Sequence, residues 1–216
     1  MGRTSDAKQR LVAAMADLVH QRGYRSVSVD EVCAAAGVRK GSFYHFFPSK
    51  RDLMLAALDQ HWEAGRDHFL TVAFGKDVPP LRRVERFLTM VARVEAANKK
   101  SGGHVLGCPF GNVAAEMSTA EPRLAKRANG AFCGFATFVR DALREAQAAG
   151  DLSRQVDAEE AADAIVAYFE GLALLAKTRN DPAVIRRLGL RALHLATGGV
   201  PQRAARVRIR RQEGSR

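Results

Sequence analysis

Apolar residues recur at spacings of three and four along most of the chain, which is the pattern of amphipathic helices. Leu11, Met15, Leu18 and Val19 form one such stripe, and it predicts a first helix over about residues 6–22. No stretch alternates apolar and polar residues long enough to predict a strand. The pattern therefore predicts an all-α protein of about nine helices.

Prolines and glycines mark the expected ends of these helices. Six of the seven prolines fall at expected boundaries, because proline is tolerated in a first helical turn but is costly inside a helix. The stretch between Pro122 and Pro182 has no proline, so it predicts two long helices separated at Gly150-Asp151.

Two short helices are predicted after the first one. Ser28 and Glu31 form a capping box, a helix-start pattern, and this helix ends at Gly37. Another short helix covers about residues 39–46, and Ser49 opens a longer fourth helix. Two short helices braced by a longer one are typical of a helix-turn-helix DNA-binding unit, and a turn in an ordinary helical bundle is the alternative.

Residues 7–55 resemble, almost continuously, the amino-terminal domain of TetR-family transcriptional regulators. The matching segments are Gly23-Tyr24 and residues 26–29, 36–38 and 41–50. A weaker similarity to the family's regulatory half joins residues 149–152 with Asp157, Ala158 and Gly171. The resemblance implies an all-helical homodimer that binds a pseudo-palindromic DNA operator and releases it when a small molecule binds.

The resemblance and the helix pattern together predict three regions. Residues 1–48 form the helix-turn-helix DNA-binding domain, a three-helix unit, and residues 49–197 form a helical ligand-binding and dimerisation domain. Residues 198–216 form a basic, disordered tail that holds six arginines and one glutamate.

The reading helix at about 39–46 begins with two cations and two small residues, which allow close approach to the major groove. Phe43, Phe46 and Phe47 are expected to pack inward. The serines at the starts of the second and fourth helices cap them, at helix ends that favour phosphate, and Lys50 resembles a phosphate-contacting lysine of the family. The predicted DNA contacts are Ser28, Arg39, Lys40, Gly41, Ser42, Tyr44, His45, Ser49 and Lys50.

The sequence departs from the family pattern at two positions of the reading helix. Many members have a serine where Arg39 stands, capping the helix, and a histidine where Phe46 stands. Because arginine cannot cap, Arg39 is expected to project toward DNA, where it contacts a guanine or a phosphate.

The segments at about 158–180 and 181–196 are too apolar for ordinary surface helices. Either the subunit buries these faces itself or a second copy covers them, and the need for two DNA-binding heads on one operator favours the second copy. The predicted dimer contacts are Ala161, Ile165, Leu172, Ile185, Leu188 and Ala192.

Large apolar side chains in the central half of the chain are consistent with an effector pocket or with a solid core. The predicted ligand contacts are Trp62, Phe69, Met90, Cys108, Phe110, Phe135 and Tyr168. Few ionisable residues fall among them, so a mainly apolar or aromatic effector is expected.

The segment 107–112 resembles a Gly-Cys element found in a subset of these regulators. If Pro109 begins a helix, the helix's positive end lowers the pKa of Cys108, which suits a sensor of electrophiles or oxidants. The alternative is that cysteine serves as a small buried apolar residue. Asn112 and Glu116 lie on one helix face and either cap this loop or line the cavity.

Composition and charge limit the possible binding partners and cell compartments of the protein. The net charge of +11 favours a polyanionic partner, but nearly half of the excess lies in the tail, so charge alone does not locate a DNA site. Three widely spaced cysteines indicate reduced thiols in the cytoplasm, and the charged amino terminus lacks the apolar block of a signal peptide. No apolar run reaches the roughly 18 residues that a membrane span needs.

An enzyme and a membrane-surface protein are the rival classes. The six histidines are scattered, and neither a phosphate-binding loop nor a nucleophile elbow is present, so no catalysis, metal or cofactor is expected. The membrane-surface alternative rests only on the arginines of the tail, which are interpreted as a solvated extension.

Overall fold

The computed structural model describes the backbone of residues 2–198 and the side chains of residues 6–198. This part of the chain is all-helical, as predicted, and contains no strand. Among its helices, none is both long enough and apolar enough to cross a bilayer. Apart from Gly198, the tail predicted at 198–216 lies outside the described residues. The helices are α1 (Gly2–Arg22), α2 (Val29–Ala36), α3 (Lys40–Phe46), α4 (Lys50–Gly65), α5 (Thr71–Ala73), α6 (Pro80–Gly102), α7 (Pro109–Met117), α8 (Pro122–Ala149), α9 (Ala158–Arg179), α10 (Ala183–Gly189) and α11 (Arg191–Thr197).

Local capping chemistry sets the boundaries of the short amino-terminal helices. Ser28 and Glu31 form the predicted capping box at the start of α2, and Gly37 ends it in the left-handed conformation with φ 61°. Ser49 caps α4 by accepting a hydrogen bond from the Asp52 backbone N–H. These contacts are local in sequence, so the pattern of residues located them correctly.

After α3, two segments that were predicted as single helices are interrupted in the structure. A π-helical turn over Arg66–Leu70 connects α4 to α5, so the fourth helix continues to Ala73 with a local change of pitch. The segment predicted as one helix over 181–196 is broken into α10 and α11 around Leu190. Next to this break Gly189 packs tightly on α6, where an added Cβ would lie 3.2 Å from Leu88 Cδ1.

Two hydrophobic clusters form the core, and they determine how the parts fit together. The first joins α1–α4 to α7 and the beginning of α8, through Phe110, Val113 and Met117 among others. The second joins α6, α8, α9, α10 and α11. We call α1–α3 the head and α4–α11 the body. Because α7 packs into the core of the head, apolar contacts seat the head directly on the body.

Candidate DNA-binding surface and effector cavity

The reading helix α3 is anchored by aromatic side chains on its inner face. Phe43 is completely buried, and Phe47 is 5% exposed. Phe46 is half-buried against the same core. Tyr44, by contrast, is 54% exposed and meets the Phe43 ring edge-on, with the centroids 4.9 Å apart. The helix therefore presents its other face to solvent, as expected from the sequence.

Most of the predicted DNA contacts lie on this exposed surface. Arg39 precedes the first turn of α3 and makes no side-chain cap, as predicted. An added Cβ at Gly41 would meet no atom within 4 Å, so the backbone is open to close approach there. The predicted contacts that are exposed are Ser28, Arg39, Lys40, Gly41, Ser42, Tyr44 and His45.

Ser28 and Ser49 are used as helix caps. The Ser28 hydroxyl donates to Glu31 Oε2 and accepts from the Glu31 N–H, while Glu31 also pairs with Arg22 at 2.7 Å. The hydrogen bonds from Ser28, and then that from Arg22, lower the pKa of Glu31 to about 2. Ser49 likewise bonds Asp52. Phosphate contacts at these two serines stay a prediction.

Lys40 is paired within the head. Its ammonium lies 2.8 Å from Asp30 Oδ1 on α2, and both side chains are more than half exposed. An ion pair this exposed to solvent and salt contributes little to stability. DNA phosphate can therefore displace Asp30 at little cost.

Lys50 lies in a different environment from the one expected. Its ammonium donates to the Tyr24 carbonyl oxygen at 2.5 Å and sits 4.1 Å from the Tyr24 ring centroid. Partial burial lowers the pKa of Lys50. The side chain thus connects α4 to the turn after α1. An ammonium group has three N–H donors, so two remain that can bind a phosphate. The phosphate role stays a prediction.

The body contains a partly open cavity of about 410 Å³, and His20 of the head contributes to its wall. Its wall includes six phenylalanines and Trp62, together with residues from α1, α4, α6, α7, α8 and α9. The Trp62 indole packs against Gly134 on α8, where any side chain would overlap the ring. Five of the predicted ligand contacts line the cavity, and they are Trp62, Phe69, Cys108, Phe110 and Phe135.

Two predicted ligand contacts lie elsewhere. Met90 is half-buried against the body core and does not line the cavity. Tyr168 turns its hydroxyl to the Leu188 carbonyl oxygen, at 3.1 Å, and thereby joins α9 to α10. The apolar stripe of a helix does not show which residues pack in the core and which line a cavity, because large apolar side chains occupy both kinds of position.

The expectation of few ionisable residues around the cavity is corrected by the structure. Ionisable side chains reach it from five separate elements, and of these the sequence indicated only Cys108. They are His20, His61, Glu95, Cys108 and Glu170.

These polar groups surround the loop before α7. His20 Nε2 lies 2.8 Å from the Gly107 carbonyl oxygen, so a side chain of the head forms part of the cavity wall. Glu95, only 4% exposed, accepts a hydrogen bond from the Leu106 N–H at 2.8 Å. Asn112 donates to the Leu106 carbonyl oxygen at 3.0 Å, which is the predicted loop-capping role.

Cys108 occupies the predicted place at the start of α7, but its chemistry is the opposite of that expected. Its sulfur accepts a hydrogen bond from the Gly111 N–H at 3.4 Å. Burial, and then the neighbouring Glu170 carboxylate, raise the pKa of Cys108 well above its usual value. The predicted lowering of the pKa is therefore wrong, because desolvation outweighs the helix terminus.

Glu116 joins the other end of the same helix to the head. Its carboxylate accepts hydrogen bonds from the backbone N–H groups of Tyr24 and Arg25, both at 2.7 Å. It takes neither of the roles predicted for it, since it does not line the cavity. The partners are more than 90 residues away along the chain, so no sequence pattern indicated this contact.

The structure corrects five of the six predicted dimer contacts. Ala161, Ile165, Leu172, Ile185 and Ala192 are at most 3% exposed and belong to the body core of their own subunit. Leu188 is half-buried against that core. The apolar faces that suggested a second copy are thus covered by α6, α8 and one another. The large apolar side chains that remain exposed on the carboxyl-terminal helices are Leu174, Leu175, Leu190 and Leu195.

A helix-turn-helix head with an exposed reading helix, seated on a helical body, is the architecture of a DNA-binding transcriptional regulator. Residues 11–57 match the family model described as bacterial regulatory proteins, tetR family. Residues 80–191 match the tetracyclin repressor-like C-terminal domain. The chain belongs to the TetR family, a family of DNA-binding transcriptional regulators and not of enzymes.

Individual relatives support this assignment across most of the chain. Transcriptional regulator AcuR of Cereibacter sphaeroides is 34% identical, and the alignment covers 82% of this chain and 80% of AcuR. The crystal structure of regulatory protein TetR from Rhodobacter sphaeroides gives a TM-score of 0.78 at 31% identity, covering 87% of this chain and 97% of that one. A TetR regulator from Chloroflexus aurantiacus gives a TM-score of 0.79 at 26% identity over 93% and 98% of the two chains.

Proposed function

We propose that this protein is a transcriptional repressor that binds a pseudo-palindromic operator as a homodimer and leaves it when a small, mainly apolar effector enters the cavity. The observation that carries the proposal is the exposed face of α3, held outward by Phe43 and Phe47. Arg39 and Tyr44 on this face can reach base edges and phosphates in a major groove.

The position of the cavity supports regulation by a ligand. His20 of the head lines the cavity, and α7 runs from the cavity at Cys108 to the head at Glu116. An occupant that displaces either element changes the contacts on which the head rests. Because two heads must meet two half-sites at a fixed separation, a small reorientation of each head weakens binding.

Exposed leucines support dimerisation through the last helices. Leu174, Leu190 and Leu195 are each more than 60% exposed. Large apolar side chains that stay exposed in one subunit are candidates for a protein interface. We propose that these exposed leucines of α9 and α11, and not the buried positions predicted from the sequence, contribute to the interface.

A sensor of electrophiles or oxidants acting through Cys108 is the second candidate. It is favoured by the position of Cys108 in the cavity wall, where a reactive effector would meet the sulfur. The raised pKa of the thiol disfavours rapid reaction at neutral pH. This candidate therefore requires the effector to bind in the cavity before it reacts.

Selection of genomic DNA fragments by the purified protein tests the DNA-binding function. We expect the recovered fragments to share an inverted repeat, and we expect the Arg39→Ala/Tyr44→Ala variant to recover none while keeping its helical circular dichroism. A promoter-reporter assay on the selected site then gives the sign of regulation. Fragments without a shared repeat, or equal recovery by the variant, would contradict the proposal.

Sedimentation velocity tests the assembly. The parent protein should sediment as a dimer, and Leu174→Glu/Leu195→Glu should sediment as a monomer that binds the full operator more weakly. Ala164→Glu, at an exposed position on the same helix α9, is the matched control. A parent protein that is monomeric on and off DNA would exclude the homodimer.

A further inference from the structure

The carboxyl group of Glu170 is the most unusual polar group in the cavity wall. It is partly buried, and its hydrogen-bonding neighbour among the described residues is the thiol of Cys108. Burial raises the pKa of Glu170. Gly111 makes room for it, since any Cβ at that position would overlap Glu170 Oε2. The fold therefore keeps a carboxyl group beside the cavity without giving it a charged partner among the described residues.

The charges around the cavity favour one sign of ligand. Among residues 6–198, the lining contains two glutamates and neither lysine nor arginine. Burial lowers the pKa of both His20 and His61, so the two histidines are largely neutral near pH 7. Lys177 packs its side-chain carbons close to Gly107 but does not line the cavity. In the part of the chain that the structure describes, the lining thus offers an anionic ligand carboxylates and no fixed positive charge.

The apolar part of the wall suits the same kind of ligand. Six phenylalanines and Trp62 line the space, and the negative faces of aromatic rings attract organic cations. Glu95, the other acidic group of the lining, is already bonded to the Leu106 N–H. Glu170 is thus the carboxylate left to pair with a charged nitrogen.

We propose that the effector is a small organic cation, a protonated amine with an apolar or aromatic body, whose ammonium group hydrogen-bonds Glu170. This inference rests on the proposed function, because it assigns a chemical class to the effector of that same cavity. The amine supplies the positive charge that Glu170 lacks, and the aromatic wall covers the apolar body.

Trp62 provides a direct measurement, because it is the only tryptophan of the chain and lines the cavity. We would titrate the full-length protein at pH 7.5 with three probes of similar size, benzylamine, benzyl alcohol and phenylacetate, and follow tryptophan emission. Benzylamine should bind about tenfold more tightly than the other two, since only its ammonium group can form a charge-assisted hydrogen bond with the Glu170 carboxylate. Tighter binding of phenylacetate or benzyl alcohol, or no binding of benzylamine up to 10 mM, would overturn the proposal.

A variant assigns this preference to Glu170. Glu170→Gln keeps the shape of the side chain and should weaken benzylamine binding about tenfold while changing benzyl alcohol binding less than about twofold. Glu160→Gln, on the exposed side of the same helix, should change neither. Unchanged benzylamine affinity in folded Glu170→Gln would overturn the assignment. If that variant does not fold, the ranking of the three probes on the parent protein decides.

Operator release completes the test and separates the two proposals. Benzylamine should lower the fraction of protein bound to the selected operator at the concentrations at which it changes Trp62 emission. Failure of the ligand-free protein to bind DNA overturns the proposed function, whereas the emission titration still decides the ligand class. Release by phenylacetate but not by benzylamine overturns the ligand class alone.

Discussion

The carboxylate of Glu116 accepts a hydrogen bond from the Tyr24 backbone N–H at 2.7 Å, and this contact fixes α7 to the turn that follows α1. The neighbouring Arg25 N–H donates to the same carboxylate, and Lys50 bonds the Tyr24 carbonyl oxygen from α4. Hydrogen bonds from two helices of the body, α4 and α7, therefore hold the turn between α1 and α2. Since α7 begins at the cavity, it is the element best placed to carry a change from the cavity to the head.

Replacing Glu116 should loosen the head selectively. Glu116→Ala removes two hydrogen bonds to a charged acceptor, so we expect the free energy of unfolding to fall by about 2 kcal/mol. Hydrogen exchange should accelerate at the amides of residues 23–28 more than in the body. Glu63→Ala, at an exposed position of α4, is the control and should change neither measurement. Exchange that accelerates equally throughout the chain would mean that Glu116 supports the fold in general and not this connection.

Arg39 should supply sequence preference. Its side chain is exposed at the start of α3 and makes no cap, so it is free to reach a base or a phosphate. Arg39→Ala should reduce discrimination between the operator and a site altered at one base pair by about 1–3 kcal/mol. The measurement is competition binding with a set of single-substitution operators.

Arg154→Ala, in the exposed connection between α8 and α9, controls for loss of charge. A uniform loss of affinity for every sequence in Arg39→Ala would instead identify Arg39 as a phosphate contact.

Lys50 should affect both stability and DNA binding. Lys50→Met keeps an unbranched side chain against the Tyr24 ring but removes the bond to the Tyr24 carbonyl oxygen, so we expect the free energy of unfolding to fall by about 1 kcal/mol. If a second donor of the ammonium also contacts phosphate, the slope of log K against log salt should flatten by about 0.9. Urea unfolding and operator titrations at four salt concentrations measure the two effects separately. An unaltered slope together with the stability loss would leave Lys50 a purely structural residue.

The sequence was most informative where structure depends on near neighbours. Ser28 and Glu31 are three residues apart, and Gly37 acts on the turn in which it lies, so the capping box and the end of α2 were predictable. The inward and outward faces of α3 followed from helical spacing in the same way, with Phe43 buried and Tyr44 exposed.

The cavity chemistry depends on contacts that no local pattern contains. His20 meets Gly107 across 87 residues of sequence, and Glu170 reaches Cys108 from another helix. The apolar stripe through Ile165 and Leu172 predicted burial correctly, but hydrophobicity does not specify whether the covering surface belongs to the same subunit or to a second one. For that reason five of the six positions predicted at the dimer interface are instead buried within their own subunit.

The thiol of Cys108 should react slowly at neutral pH. Alkylation requires the thiolate, and burial together with Glu170 raises the pKa of Cys108, so the thiolate fraction near pH 7.5 is small. Cys133 is exposed and serves as an internal reference in the same molecule. We expect iodoacetamide to modify Cys133 first at pH 7.5, with the rate at Cys108 rising by about tenfold per pH unit up to its raised pKa.

Glu170→Gln removes the neighbouring negative charge and should speed the reaction at Cys108 while leaving Cys133 unchanged. Peptide mapping by mass spectrometry measures both rates. Faster modification of Cys108 than of Cys133 at pH 7.5 would contradict this account and favour the thiol-sensing candidate.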